Sequence, residues 1–517
     1  MGKSARLDAV VHRLDGARAT ISNRFGIPIT LFARPDVRVE HEGIAQLLEL
    51  TALAETLSAI DEAERAGRIP PFWGGDPGRI AAIVLTPDFH RGAGIPVGTV
   101  IDARGFVLPR AVGNDVCCGM RLLATDVTRE ELTAHLPALT GRLRDIFFRG
   151  KRDIPMSPRQ REALLREGLA GLLDTASDNA GTGLWRYYHP HAQAGDLARV
   201  HFQGALPARR TFAFEAWIQS SGARDGRDIQ IGSVGGGNHF VELQTVEDIL
   251  DGPTAHSFGL RRNAVTIMAH SGSVGLGHMV GGWFGDRARE LHPRGLAHPA
   301  HGFYVLPTAG PLAAEAAAYL DAMRNAANFA FANRLFLGLM AVRAMTEALG
   351  REVTARLVHD APHNLVWEQG DRMIHRKGAT PALGADGTPG PFGYTGHPVI
   401  IPGSMGASSF VLAGEGNTSA LESACHGAGR SLTRGEATHV DHDIYERAVE
   451  RLRVVTPIDP ASPEVRARRD ILQKHHQRLK EEAPFAYKPI TPVVQTVEDA
   501  GVARRVARLF PVVTVKG

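Results

Sequence analysis

Five side chains able to bind metal, scattered over about 250 positions, set the tightest condition on how this chain folds. Asp115 and Cys118 stand three residues apart in Asn114-Asp115-Val116-Cys117-Cys118-Gly119, between two strand-like runs. His239 follows Gly235-Gly236-Gly237-Asn238, His270 opens His270-Ser271-Gly272-Ser273, and His363 lies in Asp360-Ala361-Pro362-His363-Asn364. A hard oxygen, a thiolate that can bridge two ions and three imidazoles form a donor set for one or two divalent transition metals. Each residue alone also fits a plainer role: Cys118 as a small buried hydrophobe, Asp115 as a turn residue, each histidine as a loop hydrogen-bonder. The fivefold coincidence favours the metal. It requires a fold whose rigid sheet ends hold loops from four distant parts of the chain close together.

The hydrophobic pattern supplies such a scaffold. Residues 80–85 form a continuous apolar run, the signature of a strand buried on both faces, which is expected to stop at Thr86-Pro87-Asp88 and give way to a loop reaching Gly94. Residues 98–108 read as a hairpin about Ala103-Arg104-Gly105, and 120–125, 240–243, 265–268, 399–402 and 410–412 as short strands, two of them touching a candidate histidine. Helical spacing marks 43–67, 128–148, 158–175 and a long Ala-rich stretch, 311–349, read as one helix or as a helix broken once, in which Asn328, Asn333 and Arg334 imply a polar face turned toward a site or a helix-to-helix hydrogen bond. Residues 378–397, rich in Gly and Pro, read as a surface loop or lid, 462–483 as a charged helix, and 512–517 as a terminal strand ending in lysine.

With 517 residues and no low-complexity linker, one large domain is as well supported as two. The three cysteines, two of them adjacent, do not make a disulfide framework, so a reducing compartment is expected. No signal-like N-terminal h-region is present, and no apolar run reaches membrane-spanning length, which predicts a cytoplasmic protein without a membrane partner. A net charge of +3 neither requires nor excludes nucleic acid.

Two further stretches carry chemistry. In Cys425-His426-Gly427-Ala428-Gly429-Arg430, small neighbours leave the imidazole open, which suits a histidine nucleophile attacking phosphorus with Arg430 or a metal offsetting charge; a histidine in a glycine turn is the plainer alternative. His375-Arg376-Lys377 reads as a basic patch on a nucleic-acid backbone or as ordinary solvated surface. The glycine triplet before His239 suggests an anion nest for phosphate, but no phosphate-loop or dinucleotide fingerprint is complete.

In combination these segments resemble the RNA-splicing ligase RtcB family. The similar stretches run in order from about residue 80 to the end: Pro87-Asp88-Phe89-His90, Asp115 to Gly119, Gly235 to Phe240, His270 to Ser273, His363-Asn364, His375 to Thr380, Pro402 to Gly406, His426 to Arg430 and Lys516-Gly517. The resemblance implies a mixed α/β (α+β) fold, with residues 1–75 a helical, variable segment and 76–517 a single large catalytic domain of mixed sheets and peripheral helices around a central cleft. It implies two manganese ions held by Asp115, Cys118, His239, His270 and His363, and GTP as cofactor, with His426 becoming guanylylated. Asn238, His239, Phe240, Val241, Glu242, His363, Asn364, Pro402, Gly403, Ser404, Met405, Ser409, His426, Gly427, Ala428, Gly429 and Lys516 then match positions that hold the guanylate. A carboxylate such as Glu242 can accept from guanine N1–H and N2–H, a donor pair adenine lacks.

The implied activity is joining of RNA 3'-phosphate or 2',3'-cyclic phosphate ends to 5'-hydroxyl ends by a monomer, with an archease-like activator as a possible partner. Two positions depart from the family pattern: Val274 and Pro381 stand where arginine is usual. That departure keeps two other readings open, a binuclear-metal phosphoesterase acting on RNA ends and an RNA-end-binding relative that does not ligate.

Overall fold

The apolar run at 80–85 is the middle of a longer strand, Arg79–His90, in a seven-stranded sheet. This is a computed structural model, which describes residues 7, 9–212, 214–219, 231–388 and 390–517. The sheet order is Val11–Arg13, Arg18–Ile21, Ile29–Phe32, Arg79–His90, Val97–Arg104, Arg372–Lys377 and Asn364–Gln369. The strand does not end at Thr86-Pro87-Asp88 as its polar residues suggest. It runs to His90, but its pairing with Val97–Arg104 shifts register between Leu85 and His90, so the carbonyls there need donors from elsewhere.

A second, eight-stranded sheet carries most of the candidate ligands. Its order is Ala355–Pro362, Gly119–Thr128, Ala264–Ser271, Phe240–Ile249, Ala503–Val515, Ser409–Gly414 and Pro398–Ile401, with Arg453–Val455 pairing parallel to Ala503–Val515. One residue, His363, separates the last strand residue of this sheet from Asn364, the first of a strand in the other. The whole is a mixed α/β fold, one large domain with several sheets.

The expected hairpin at 98–108 does not form. Val97–Arg104 lies between Arg79–His90 and Arg372–Lys377, whereas Phe106–Val107 pairs with Leu306–Pro307 in a separate ladder. Gly105, at φ 77°, turns the chain out of the first sheet between them. The stretch at 378–397 is only partly a surface loop: Ala379–Pro381 pairs with Ser423–Cys425 and is buried.

The long helix is unbroken over Ala313–Leu349, and its small alanines let neighbouring elements approach closely enough to bury most of its length. Its polar residues divide the two expected roles. Asn328 bonds the carbonyls of Leu165 and Leu206, while Asn333 and Arg334 reach the loops of the candidate site. By length and hydropathy the stretch 41–65 could cross a membrane. It is instead two helices, His41–Thr51 and Leu53–Arg65, broken at Ala52, whose Ile44, Leu47, Leu50, Leu53, Leu57 and Ile60 are buried in the core.

Candidate active site

Four of the five candidate ligands emerge at one end of four adjacent strands. Register pairs Pro362 with Gly119, Gly119 with Ser271, and His270 with Phe240. Cys118 and His239 immediately precede two of these strands, His363 immediately follows a third, and His270 is the penultimate residue of the fourth. Antiparallel pairing is what brings two strand starts and two strand ends to the same edge.

The donors are crowded there. Cys118 Sγ lies 3.2 Å from His239 Nε2 and 3.2 Å from His270 Nε2. His270 Nε2 is 3.4 Å from His363 Nε2, and His239 Nε2 is 2.8 Å from Asp115 Oδ2. His270 Nδ1 donates to the Asn238 carbonyl at 3.1 Å, which leaves the Nε2 lone pair for the cluster.

Burial, joined by neighbouring histidines, holds His270 and His363 well below the usual imidazole range and therefore neutral. Burial and the Asp115 charge push the Cys118 thiol up, so the protein alone keeps it protonated. Burial also raises Asp115, but His239 and Cys118 outweigh it and hold the carboxylate below its ordinary value. Asp115 Oδ1 and His363 Nδ1 are buried without a hydrogen-bond partner. Neutral imidazoles, a charged carboxylate with an unpaired oxygen and a thiol awaiting deprotonation fit a divalent cation.

Glycines clear the space. A Cβ on Gly272 would sit 2.2 Å from Asp115 Oδ1, and one on Gly235 would sit 2.5 Å from His239 Nδ1. The glycine triplet thus makes room for an imidazole, whatever anion its N–H groups also meet. Behind the donors, Arg334 bonds Asp360 Oδ1 at 2.9 Å, the Cys117 carbonyl at 2.6 Å and the Ser271 carbonyl at 3.1 Å. Cys117 is fully buried at φ 58°, a conformation costly for a non-glycine residue, and Arg334 holds it there.

His426 faces the same cavity of about 1210 Å³. Its ring lies 4.5 Å from that of His363. Its Nδ1 donates to Asp88 Oδ2 at 2.7 Å and is 2.9 Å from the Gly378 carbonyl, so the free lone pair is on Nε2. Burial pushes Asp88 up, yet its bonds to His426 and Thr86 outweigh that and hold the carboxyl ionised. Lys488 Nζ donates to the carbonyls of Pro87 at 3.1 Å and Phe89 at 2.7 Å, the groups left over by the register shift, and His90 Nδ1 donates to that of Asp88 at 2.7 Å.

Of the residues matched to the guanylate, all but two line this cavity. Val241 is buried within its strand, and Ser409 stands behind the wall, its hydroxyl accepting from Gly403 N–H and Gln244. Glu242 accepts from Thr514 and Gln244, both at 2.7 Å, and burial raises it to about 7. Lys516 donates to the carbonyls of Gly237 and His239. Asn364 bonds Gly378 N–H and the Asp115 carbonyl, tying the two halves of the site together.

Two sequence expectations fail here. His375, Arg376 and Lys377 are neither a nucleic-acid patch nor solvated surface: His375 accepts from Leu108 N–H, Arg376 stacks on Trp367, and Lys377 caps the carbonyls of Ala93 and Ile95. They lie in a strand paired on both sides, next to the edge of its sheet, and all three are buried. Arg430 is turned to Glu482, Tyr487 and the Glu481 carbonyl, which occupies its donors away from His426. The roles of Asp88 and Lys488 were missed. For Asp88 the signals are the polar break Thr86-Pro87-Asp88 inside an otherwise apolar strand and its place in the family-like stretch Pro87-Asp88-Phe89-His90.

A family model described as "tRNA-splicing ligase RtcB" matches residues 76–517. Among curated relatives, the RNA-splicing ligase RtcB of Mycobacterium tuberculosis is 34% identical over 463 residues, covering 85% of this chain and 98% of that protein. The tRNA-splicing ligase RtcB of Pyrobaculum aerophilum is 32% identical over 471 residues, 85% of this chain and 89% of that protein. That of Archaeoglobus fulgidus is 30% identical over 484 residues, 88% and 91% respectively.

Proposed function

Because the chain belongs to the tRNA-splicing ligase RtcB family, we propose that it is an RNA ligase that joins RNA 3'-phosphate ends to 5'-hydroxyl ends through guanylylation of His426, using GTP and Mn(II). The observation that carries the reading is the His426 imidazole, tied through Nδ1 to the buried Asp88 carboxylate, with its Nε2 lone pair left for a cavity that also holds the Cys/His cluster.

Asp115, Cys118, His239, His270 and His363 would hold two ions. When bound, these would supply positive charge to offset the phosphates. His426 Nε2 forms the bond to the α-phosphorus of GTP as pyrophosphate leaves, and Asp88 stabilises the positive charge that develops on the ring. An oxygen of the RNA 3'-phosphate then takes the guanylyl group, breaking the N–P bond and restoring neutral His426. The RNA 5'-hydroxyl finally attacks the activated 3'-phosphate, loses its proton and expels GMP. A 2',3'-cyclic phosphate end would first be hydrolysed to the 3'-phosphate. Glu242, buried beside Thr514, selects guanine by accepting from N1–H and N2–H.

The three cysteines are free and buried, which accords with work in the reducing cytoplasm. Incubation with α-labelled GTP and Mn(II) tests the proposal. An acid-labile protein label is expected, absent in His426→Ala; a label that survives in His426→Ala would refute the assignment. RNA-end hydrolysis without nucleotide would instead favour a metal phosphoesterase.

A further inference from the structure

Residues 466–480, Arg466-Ala467-Arg468-Arg469-Asp470-Ile471-Leu472-Gln473-Lys474-His475-His476-Gln477-Arg478-Leu479-Lys480, hold six basic side chains against one acid, a surplus larger than the +3 of the entire chain. The catalytic reading gives them no work. Most of the segment is one helix, Arg469–Lys480, which buries His475 and Leu479 and turns Arg469, Gln473, Lys474, Gln477 and Arg478 to solvent. Arg468 pairs with Asp470 at 2.8 Å, cancelling the single acid. Arg466, Arg469, Lys474 and Arg478 have no carboxylate within salt-bridge distance among the described residues. Unpaired cations packed this closely repel one another, which a solvated helix face does not need.

The helix is joined to the cavity. Leu479 packs with Met405, a cavity wall residue. The next residues, Glu481 and Glu482, lie near Arg434 on the rim, at 3.7 and 3.8 Å, and Lys480 caps the Val440 carbonyl. A twelve-residue helix spans roughly 18 Å, enough to follow several phosphates of a strand leaving the cavity mouth.

We propose that the exposed face of helix Arg469–Lys480 is a docking surface for the sugar-phosphate backbone of the RNA whose end enters the catalytic cavity. The contact is electrostatic and without base readout, since arginine, lysine and glutamine side chains reach phosphates and ribose hydroxyls independently of sequence. The inference rests on the ligase reading for its polyanion. It adds a surface whose exposed cations, Arg469, Lys474 and Arg478, do not line the cavity, and which binds the body of the RNA rather than its end.

The test uses the full-length protein and a fluorescein-labelled RNA stem-loop ending in a 3'-phosphate, with affinity read by anisotropy across a salt series. Arg469→Gln/Lys474→Gln/Arg478→Gln is expected to weaken binding by about tenfold near 0.1 M salt. It should also flatten the dependence of log K on log salt by about 2 to 3, at about 0.9 per lost phosphate contact. Self-guanylylation with labelled GTP should stay within about twofold of wild type. The control Arg129→Gln/Arg142→Gln/Arg149→Gln removes equal charge elsewhere and should leave affinity unchanged. Unaltered affinity and slope in the helix variant, or an equal loss in the control, would overturn the proposal. Failure of the ligase reading would show separately, as wild-type protein that takes no label from GTP.

Discussion

The two halves of the catalytic cavity are built on opposite plans. The Cys/His end is incomplete as protein: Asp115 Oδ1 and His363 Nδ1 are buried without partners, and the Cys118 thiol is held protonated. The His426 end is complete. Its Nδ1 donates to Asp88, Asp88 accepts from Thr86, and the carbonyls around Asp88 are capped by Lys488 and His90. One end is designed to be finished by a ligand. The other is organised before any ligand arrives, so that His426, the nucleophile of the proposed mechanism, would need no reorganisation at the moment of reaction.

Substitutions at the two ends should therefore fail differently. Asp88→Asn should cut the single-turnover rate of guanylylation by on the order of 10² to 10⁴, by analogy with removing the orienting carboxylate of a catalytic histidine. Its stabilisation by Mn(II) in thermal unfolding should match wild type. Cys118→Ala should lose guanylylation as well, but together with the metal-induced stabilisation, about 2.7 kcal/mol at a hundredfold excess over Kd. If Asp88→Asn lost the metal response, or Cys118→Ala kept it, the contrast would collapse.

Lys488→Met should act as a weaker Asp88 variant. It removes the clamp on the Pro87 and Phe89 carbonyls, so the guanylylation rate is expected to fall by about tenfold with GTP affinity unchanged. In an Asp88→Asn background the same change should cost much less, because both act through one hydrogen bond. Additive losses would show that Lys488 works on something else.

A smaller effect belongs to Glu242, the residue proposed to read guanine. Glu242 has its folded pKa raised by burial to about 7, above the ordinary 4.5. A raised carboxyl binds its proton more tightly in the folded protein than in the unfolded one. Its contribution therefore lowers stability as pH rises from about 4.5 to 7, and that penalty is fully present above 7. The proposed guanine contact needs the ionised form. GTP affinity should fall up to tenfold for each unit below pH 7, while Glu242→Gln should flatten this profile and relax the preference over ATP, measured by nucleotide titration at several pH values. A GTP affinity indifferent to pH between 8 and 6 would remove Glu242 from the guanine contact.

The smallest expected change concerns Val274, where the resembled family has arginine. Val274 sits at φ 51°, strained for a β-branched side chain, at the start of helix Val274–Glu290. Val274→Arg relieves part of that strain and is expected to raise RNA joining a few-fold without altering guanylylation, scored by gel assay of end-labelled RNA. Pro381 is a different case, since its buried strand position would force an arginine into the core.

Much of this protein was legible from residue order alone. The donor set could be read because a carboxylate, a thiol and three imidazoles each lie within two residues of glycine or asparagine, and the close approaches at Gly235 and Gly272 demand glycine there. The buried strand could be read because burial on both faces leaves an unbroken apolar run, and the long helix because burial leaves apolar residues at helical spacing. Tertiary structure alone decided the rest. Asp88 and His426 are 338 positions apart, and nothing local in either announces the other. His375-Arg376-Lys377 is polar in sequence yet buried, because neighbouring strands and backbone carbonyls supply partners that no window on the chain can show. Local order sets which residues are available for chemistry, whereas the pairing of strands from distant segments settles which of them meet, since a hydrogen bond depends on distance in space and not on separation along the chain.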